Sequence, residues 1–458
     1  MPGPFHGILT ASSALRSFQR ALDVTGHNIA NVNTAGYSRQ TVDFSAQRGV
    51  DFFQGKWFSL GGGVTLGAVN RVRVDYLDQS MLTSNGQLGR SSTLATGFER
   101  IERIYGEPGS GGISSAMGRF FDSWSGLASN PADPSAREQV RLAGQTLTDR
   151  VRGRFAELTT LEQSTSASLN GTFTRIDELA QQIASLNREI QRAASTGGSP
   201  NDLMDQRNLA ADELGKLVPV NTRLQADGTL SVFAANYPLV DSGGARSFPK
   251  TMDLANGTVT DGNITLSIRG GELAGHMGVL NEVRQQKANL DNLANTLRTQ
   301  VNTLHRTGIN QFGISVDFFN DSVPQTGAID FDLSSEVKPD SRSIASGISN
   351  RPGDGGLARS LSQLRDSALG ALGNQTFSDF FSGVVSKLAN DTAYYKNISE
   401  TESNVQKQIE NQRQSVSGVS LDDEMANMMK FQRSYQAAAR TLTVMDQMTE
   451  DLIGMLRR

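Results

Sequence analysis

His6, His27, His276 and His305 are the four side chains whose type could ligate a metal or move a proton near neutral pH. No two stand at metal-ligand spacing, and no HExxH pattern occurs. The chain has no cysteine, which excludes disulfides, thiolate metal sites and cysteine nucleophiles together. Gly61-Gly62-Gly63 fits neither GxGxxG nor GxxxxGK and reads as a turn between strands. Asp202 and Asp205 lie one helical turn apart, and Asp422 and Asp423 are adjacent; acids at a helix start complement its dipole without any catalytic role. No catalytic residue, metal ligand or cofactor site is expected. The unusual chemistry is that of amides. The stretch HNIANVNTAGYSR, His27 to Arg39, crowds Asn28, Asn31 and Asn33 into the end of an apolar rhythm. Asparagine is a poor helix former, so this crowding costs helix stability. Each amide both donates and accepts, and so could hold neighbouring backbone or side chains. Gly36 can adopt the left-handed conformation that ends a helix.

The elements that position these residues are mostly helical. Ile8, Ala11, Leu15, Phe18, Leu22, Thr25, Ile29 and Val32 recur at intervals of three and four, the seam of a coiled-coil helix. Met428, Phe431, Tyr435, Ala438, Leu442, Met445, Thr449, Leu452 and Leu456 keep the same rhythm at the other end. Asp133-Pro134 reads as a helix start, with the acid as N-cap and proline at the first helical position. The run it opens carries Ile176, Leu179, Ile183, Leu186 and Ile190 on one seam and ends near Ser195 to Pro200. Asp202 to Val218 is a further helix, and helical rhythm returns from Leu273 to Leu304 and from Phe377 to Ser417. Between Pro219 and Gly271, β-branched residues alternate with Asp-Gly and Asn-Gly pairs suited to hairpins. An irregular, strand-like patch is expected around Gly313 to Arg351.

These readings predict a mainly α, elongated multidomain protein with a β-rich insertion. Residues 1–45 pair with 416–458 as a terminal coiled-coil assembly domain. Residues 46–218 with 272–415 form a helical middle domain with some strands, and 219–271 form the small β-rich insertion. The backbone entropy of ordering a terminal helix is comparable to what its few large apolar side chains and its helical hydrogen bonds together return. Such ends are firm only where partner helices bury more of them.

Bulk composition narrows the partners. Hydrophobic residues make up 37%, enough for a sizeable core, and a formal net charge of -4 supplies no basic field for nucleic acid or an anionic membrane. No apolar run approaches the about 18–20 residues of a membrane span, which argues against insertion and against a coiled-coil signalling receptor. The N-terminus lacks the charged and apolar regions of a cleavable secretory signal.

The stretch LDVTGHNIANVNTAGYSRQ, Leu22 to Gln40, resembles the N-terminal signature of the flagellar rod, hook and hook-associated axial proteins, with Asn28, Ala30, Asn31, Asn33, Thr34, Gly36 and Tyr37 at the matching positions. Ser38-Arg39-Gln40, residues 201–233 with their MDQRN helix, GGELAGHMGVLNE at 270–282, and residues 417–448 resemble the hook-associated branch of that family. A hook or distal-rod protein is the alternative within it. The resemblance implies a structural, non-enzymatic, extracellular protein of the hook–filament junction, forming a ring with copies of itself. It further implies contact with the hook protein and a second junction protein, and type III export without a cleaved signal, aided by a cytoplasmic chaperone. Subunit assembly is then expected of Ile8, Leu15, Phe18, Leu22, Asn28, Ile29, Asn31, Val32, Asn33, Gly36 and Tyr37. Assembly or chaperone binding is expected of Met428, Phe431, Tyr435, Leu442, Met445, Leu452 and Leu456.

Overall fold

The computed structural model describes residues 5–53, 56–262, 264–321, 326–349, 351 and 353–456. Among them nine α-helices carry most of the chain: α1 (His6–Ala30), α2 (Asp75–Tyr105), α3 (Ile113–Ser129), α4 (Pro134–Ser195), α5 (Asn201–Leu217), α6 (Gly271–His305), α7 (Gly356–Gln363), α8 (Phe377–Ser417) and α9 (Leu421–Leu456). The mainly helical class with small β elements is the one read from the apolar periods. Asp133 does cap α4, its carboxylate accepting from the Ser135 N–H at 2.8 Å, with Pro134 at the first helical position.

Two compact units divide the chain. The first holds Met1–Gly86, Arg175–Phe248 and Asn404–Arg458, and the second holds Gln87–Thr174 and Pro249–Ser403. This grouping places residues 46–86 and α5 with the chain ends, where the sequence scheme had put them in the middle domain. The reason is pairing: β1 (Gln40–Ala46) continues from α1 and pairs antiparallel with β4 (Val64–Arg71), while β2 (Val50–Phe53) and β3 (Trp57–Leu60) form the hairpin between them. The stretch 219–271 likewise divides. β5 (Val220–Leu224), β6 (Leu230–Ala234), β7 (Tyr237–Asp241) and β8 (Gly244–Ala245) form one antiparallel sheet in the first unit. β9 (Thr251–Asp253), β10 (Thr258–Asp261) and β11 (Ile264–Ser267) form another in the second.

In the first unit, α1 packs against α9, β1 and β4. The two helices run antiparallel: Gly7 meets Met445, whose sulfur would lie 2.9 Å from a Cβ at that position, and Asn28 meets Glu424. Phe44 of β1 sits between Phe18 of α1 and Phe431 of α9, with ring centroids 5.9 and 6.0 Å away. On α4, buried Asn187 exchanges hydrogen bonds with the N–H and C=O of Leu230, which fixes the β5–β8 sheet to that helix.

The second unit has a core rich in aromatics. Phe120 and Trp124 of α3 meet Phe318 and Phe319, which with Phe331 come from the irregular segment after α6, and Phe121 stacks on Phe377. Buried backbone outside regular structure needs side-chain partners. Asn302 supplies them, accepting from the N–H groups of Phe318 and Phe319 and donating to the carbonyl of Phe319. His305 does the same: Nδ1 donates to the carbonyl of Val316 at 2.7 Å, and Nε2 accepts from the N–H of Ala345 at 3.0 Å. One ring nitrogen must donate and the other accept, which only the neutral imidazole can do.

Full burial pulls the His305 pKa down to about 4. The unfolded chain therefore takes up a proton below about pH 6.5 that the folded unit refuses until about pH 4. Stability is predicted to fall across that window as pH drops, by about 3 kcal/mol in total. Denaturant titrations at pH 7, 5.5 and 4.5 should show this decline for the natural chain and a shallower one for His305→Gln.

Candidate functional site

Asn28 lies on the last full turn of α1 and is 1% exposed. A buried amide must find partners for two donors and two acceptor positions, or pay the desolvation cost. Here all four are met. Nδ2 donates to the Gln40 carbonyl at 2.8 Å and to Glu424 Oε2 at 3.1 Å. Oδ1 accepts from the Tyr37 hydroxyl at 2.8 Å and from the Gln40 N–H at 2.9 Å. One side chain thus closes the loop that follows its own helix and ties that loop to the first turn of α9.

Glu424 is buried as well, and its second oxygen accepts from Arg39 Nε at 2.7 Å. The Arg39 N–H donates to the carbonyl of Ser417, the last residue of α8. The neighbouring residue faces α5: Ser38 donates from its N–H and its hydroxyl to the two oxygens of Asp205, at 2.9 and 2.8 Å. Arg71 of β4 donates to Asp205 at 2.7 Å, and Arg73 stands 3.6 Å from it while forking onto Asp78. Gln40 reaches Asp202 at 3.0 Å, and His27 reaches the same oxygen at 3.2 Å. Buried Arg207, on the opposite side of α5, donates to Asn187 and to the carbonyl of Gly228.

The electrostatics follow from this density of charge. Burial, then the carboxylates of Asp202, Asp205 and Glu424, push the Tyr37 hydroxyl well above its ordinary range, so it stays a donor to Asn28. Burial, with Arg71 and Arg73 nearby, pulls the Arg207 guanidinium down to about 10, still charged at neutral pH. Burial likewise lowers Arg71, although Asp205 opposes the shift.

The other site residues named from sequence have different surroundings. Asn31 caps the end of α1, donating to the His27 carbonyl at 3.0 Å and accepting from the Thr34 hydroxyl at 3.0 Å. Asn33 is exposed, and its side chain has no hydrogen-bond partner among the described residues. Gly36 is left-handed at φ +77° but lies beyond the helix end, where it turns the loop; a Cβ there would also lie 3.3 Å from Leu209 of α5. Ile8, Leu15, Phe18, Leu22, Ile29 and Val32 are half-buried, whereas Ala11, Ala21, Val24 and Thr25 are the buried face of α1. Met428, Phe431, Leu442 and Met445 are half-buried, and Tyr435 and Leu452 are exposed. Leu456 ends α9, and its side chain lies outside the described residues. Arg39, Asp205 and Glu424, the charged members of the node, were not singled out for assembly.

Three stretches that resembled one family from separate parts of the sequence therefore meet at a single buried node: the Asn28–Gln40 signature, the MDQRN helix and the start of α9. Residues 98–319 match the family described as flagellar hook-associated protein FlgK helical domain. Residues 8–37 match the flagella basal body rod protein family, and residues 410–455 match the flagellar basal body rod FlgEFG protein C-terminal family. Flagellar hook-associated protein 1 of Bacillus subtilis is 28% identical over 99% of both chains. The protein of that name from Escherichia coli is 27% identical over 98% of this chain and 99% of its own. Along nearly its whole length, therefore, this chain is similar to flagellar hook-associated protein 1. It is a structural component of the bacterial flagellum and not an enzyme. The solved flagellar hook junction protein FlgK from Burkholderia pseudomallei shares the fold, with a TM-score of 0.63 and 17% identity over 74% of this chain and all of that one. That similarity implies assembly with other flagellar axial proteins. Among the described residues no group of three or more His, Asp or Glu could hold a metal ion, and no helix is long and apolar enough to cross a membrane.

Replacing Asn28 by alanine strands the Tyr37 hydroxyl, the Gln40 amide groups and one oxygen of Glu424. Unsatisfied buried polar groups cost about 1–3 kcal/mol each. The Asn28→Ala chain is predicted to lose about 3 kcal/mol from the first unit. Hydrogen exchange should quicken in residues 26–40 and 421–428 while the α3 and α6 core stays protected.

Proposed function

We propose that this chain forms the ring that joins the hook to the filament, in contact with the hook protein on one side and a second junction protein on the other. The paired terminal helices are its assembly domain. The half-buried seam of α1, from Ile8 to Val32, and the stripe of α9, from Met428 to Leu456, pack between copies or between the helices of one copy. The chain leaves the cell through the flagellar type III apparatus without losing a signal peptide. A cytoplasmic chaperone covers the α9 stripe until export.

One observation carries this reading. The node fixes where α1 and α9 meet, yet α9 keeps most of its surface uncovered: among its described side chains only Glu424 and Thr449 are buried. A helix that ends an ordinary core would bury its apolar side chains, whereas Met425, Met429, Val444, Met448 and Met455 are all more than half exposed. An exposed stripe of this kind supports a role in association. The junction name borne by the Burkholderia pseudomallei relative and the match to the hook-associated helical domain support the position along the axis.

Electron microscopy of cells deleted for this chain tests the position. Hooks without filaments, with filament protein shed into the medium, are expected; absence of hooks would place the chain in the rod or hook instead. Cells carrying the Asn28→Ala, Glu424→Ala double variant are expected to resemble the deletion, because a misplaced α9 cannot present its stripe.

A further inference from the structure

The histidine of the GGELAGHMGVLNE stretch, His276, stands outside the node. It lines a cleft of about 310 Å³ between α2, α4 and α6 of the second unit, with buried Leu161 and Val279 among the lining residues. Two glycines let α2 and α6 touch beside it: a Cβ on Gly97 would fall 2.1 Å from Val279, and one on Gly275 would fall 2.5 Å from Thr93. Both pairs differ by 182 positions, so the two helices run side by side in the same direction.

The cleft collects hydrogen-bond donors that nothing in the chain engages. Thr165 of α4 is only 6% exposed, and its hydroxyl has no hydrogen-bond partner among the described residues. His276, half-buried on α6, has none either, and neither its ring nitrogens nor the Thr165 hydroxyl is sealed off by neighbouring atoms. Arg100 of α2 forms no ion pair among the described residues, and the Thr96 hydroxyl one turn before it is equally unbonded. The other hydroxyls of the lining, on Ser92, Thr93 and Ser168, donate to carbonyls of their own helices. Buried hydroxyls are normally paired, so the Thr165 hydroxyl points to a partner that enters from the cleft.

Charge is distributed unevenly along it. Glu272 is the one acid of the lining among the described residues. By the shared register it is level with Arg90, whereas Arg100 stands ten positions, about 15 Å, farther along. His276 lies between, level with Leu94. A helical side chain leans toward the N-terminus of its helix, which carries the Arg100 guanidinium back toward Thr96 and His276. Burial, then that guanidinium, pull the His276 pKa below its ordinary value, so the ring is neutral at pH 7.

We propose that the Arg100 end of this cleft binds a small tetrahedral oxyanion of the sulfate or phosphate kind, held by the Arg100 guanidinium, the Thr96 and Thr165 hydroxyls and a ring N–H of His276. Such an anion offers acceptors in several directions, as donors from three helices require, and a guanidinium can fork onto two of its oxygens. A metal ion is disfavoured there by the Arg100 charge and by the lack of a second carboxylate. The bound charge favours protonated His276, so affinity rises as pH falls. The charged groups lining the cleft beside that ring are Arg100 from α2 and Glu272 from α6, and α4 adds only Leu161, Thr165 and Ser168. The site belongs to the second unit and does not depend on the reading of the chain ends as an assembly domain.

Calorimetric titration of the purified full-length chain with sodium sulfate, against sodium chloride at matched ionic strength, tests the assignment. Saturable binding of one sulfate per chain is expected, tighter at pH 5.5 than at pH 7.5; sulfate keeps its charge over that range, so the change reports the protein. Arg100→Gln and Thr165→Val are each expected to weaken binding by about tenfold, as the loss of a charge-assisted hydrogen bond should. His276→Gln, which keeps an N–H donor, is expected to retain binding at pH 7.5 and to lose its pH dependence. Circular dichroism should show all three variants folded, since Arg100 is exposed and valine keeps the shape of threonine. No saturable sulfate binding would overturn the proposal. So would binding undiminished in Arg100→Gln and Thr165→Val, the mark of an adventitious ion only, or a pH dependence that survives His276→Gln.

Discussion

A buried amide with every hydrogen-bonding position filled is the constraint on which the first unit depends. Asn28 and Glu424 are 396 positions apart in sequence and 3.1 Å apart in space. Two polar side chains nearly excluded from water tolerate no loose alternative, because any slip of α1 against α9 leaves a carboxylate or an amide unpaired in the interior. Apolar seams alone would permit such slips, since one turn of a repeating seam resembles the next. The node therefore sets the register between the chain ends, and Asp205 with Ser38 and Arg71 carries that register to α5 and to the strand pair beside it.

Register matters because of what is left uncovered. α9 meets α1 along one side and leaves methionines exposed, so fixing the helix also fixes where those groups stand. A structural protein that works by contact with other axial proteins needs faces placed accurately more than it needs a catalytic pocket. The cost of the asparagines at the helix end is offset in this way: helix propensity is given up at Asn28 and Asn31 for hydrogen bonds that define the position of a second element. The second unit has its own device for the same problem, using Asn302 and His305 to order an irregular segment that no sheet or helix could satisfy.

The helices were legible because their apolar periods are long and because Asp133-Pro134 and the glycines near 197 punctuate them. The hairpin signals between 219 and 271 were legible too, but their division between two sheets was not, since strand pairing depends on partners distant in sequence. Strands between Gln40 and Arg71 had local signals in the aromatic runs VDFF and WFSL and in the glycine turn at Gly61 to Gly63, but the pairing of β1 with β4 beside α1 had none. The unusual amides lie in the stretch that forms the buried node, yet their pattern did not distinguish buried Asn28 from exposed Asn33. Asp205 was read as a helix-start acid, and Glu424, directly after the two acids that were weighed, drew no notice. Nothing in a charge's own neighbourhood announces a partner hundreds of residues away. The large apolar residues of α1 marked its seam, although its most buried positions are small, because a helix held between α9 and a strand pair needs close approach more than bulk.

The central claim is that the amide and the carboxylate act on each other and not merely on their local surroundings. A double-mutant cycle on the isolated chain measures this directly, comparing the unfolding free energies of Asn28→Ala, Glu424→Ala and the double variant with the natural protein. A coupling of about 1.5 kcal/mol or more is predicted, since the bond is charge-assisted and shielded from water. Additive losses, with coupling near zero, would contradict the account and leave the meeting of the chain ends to their apolar seams alone.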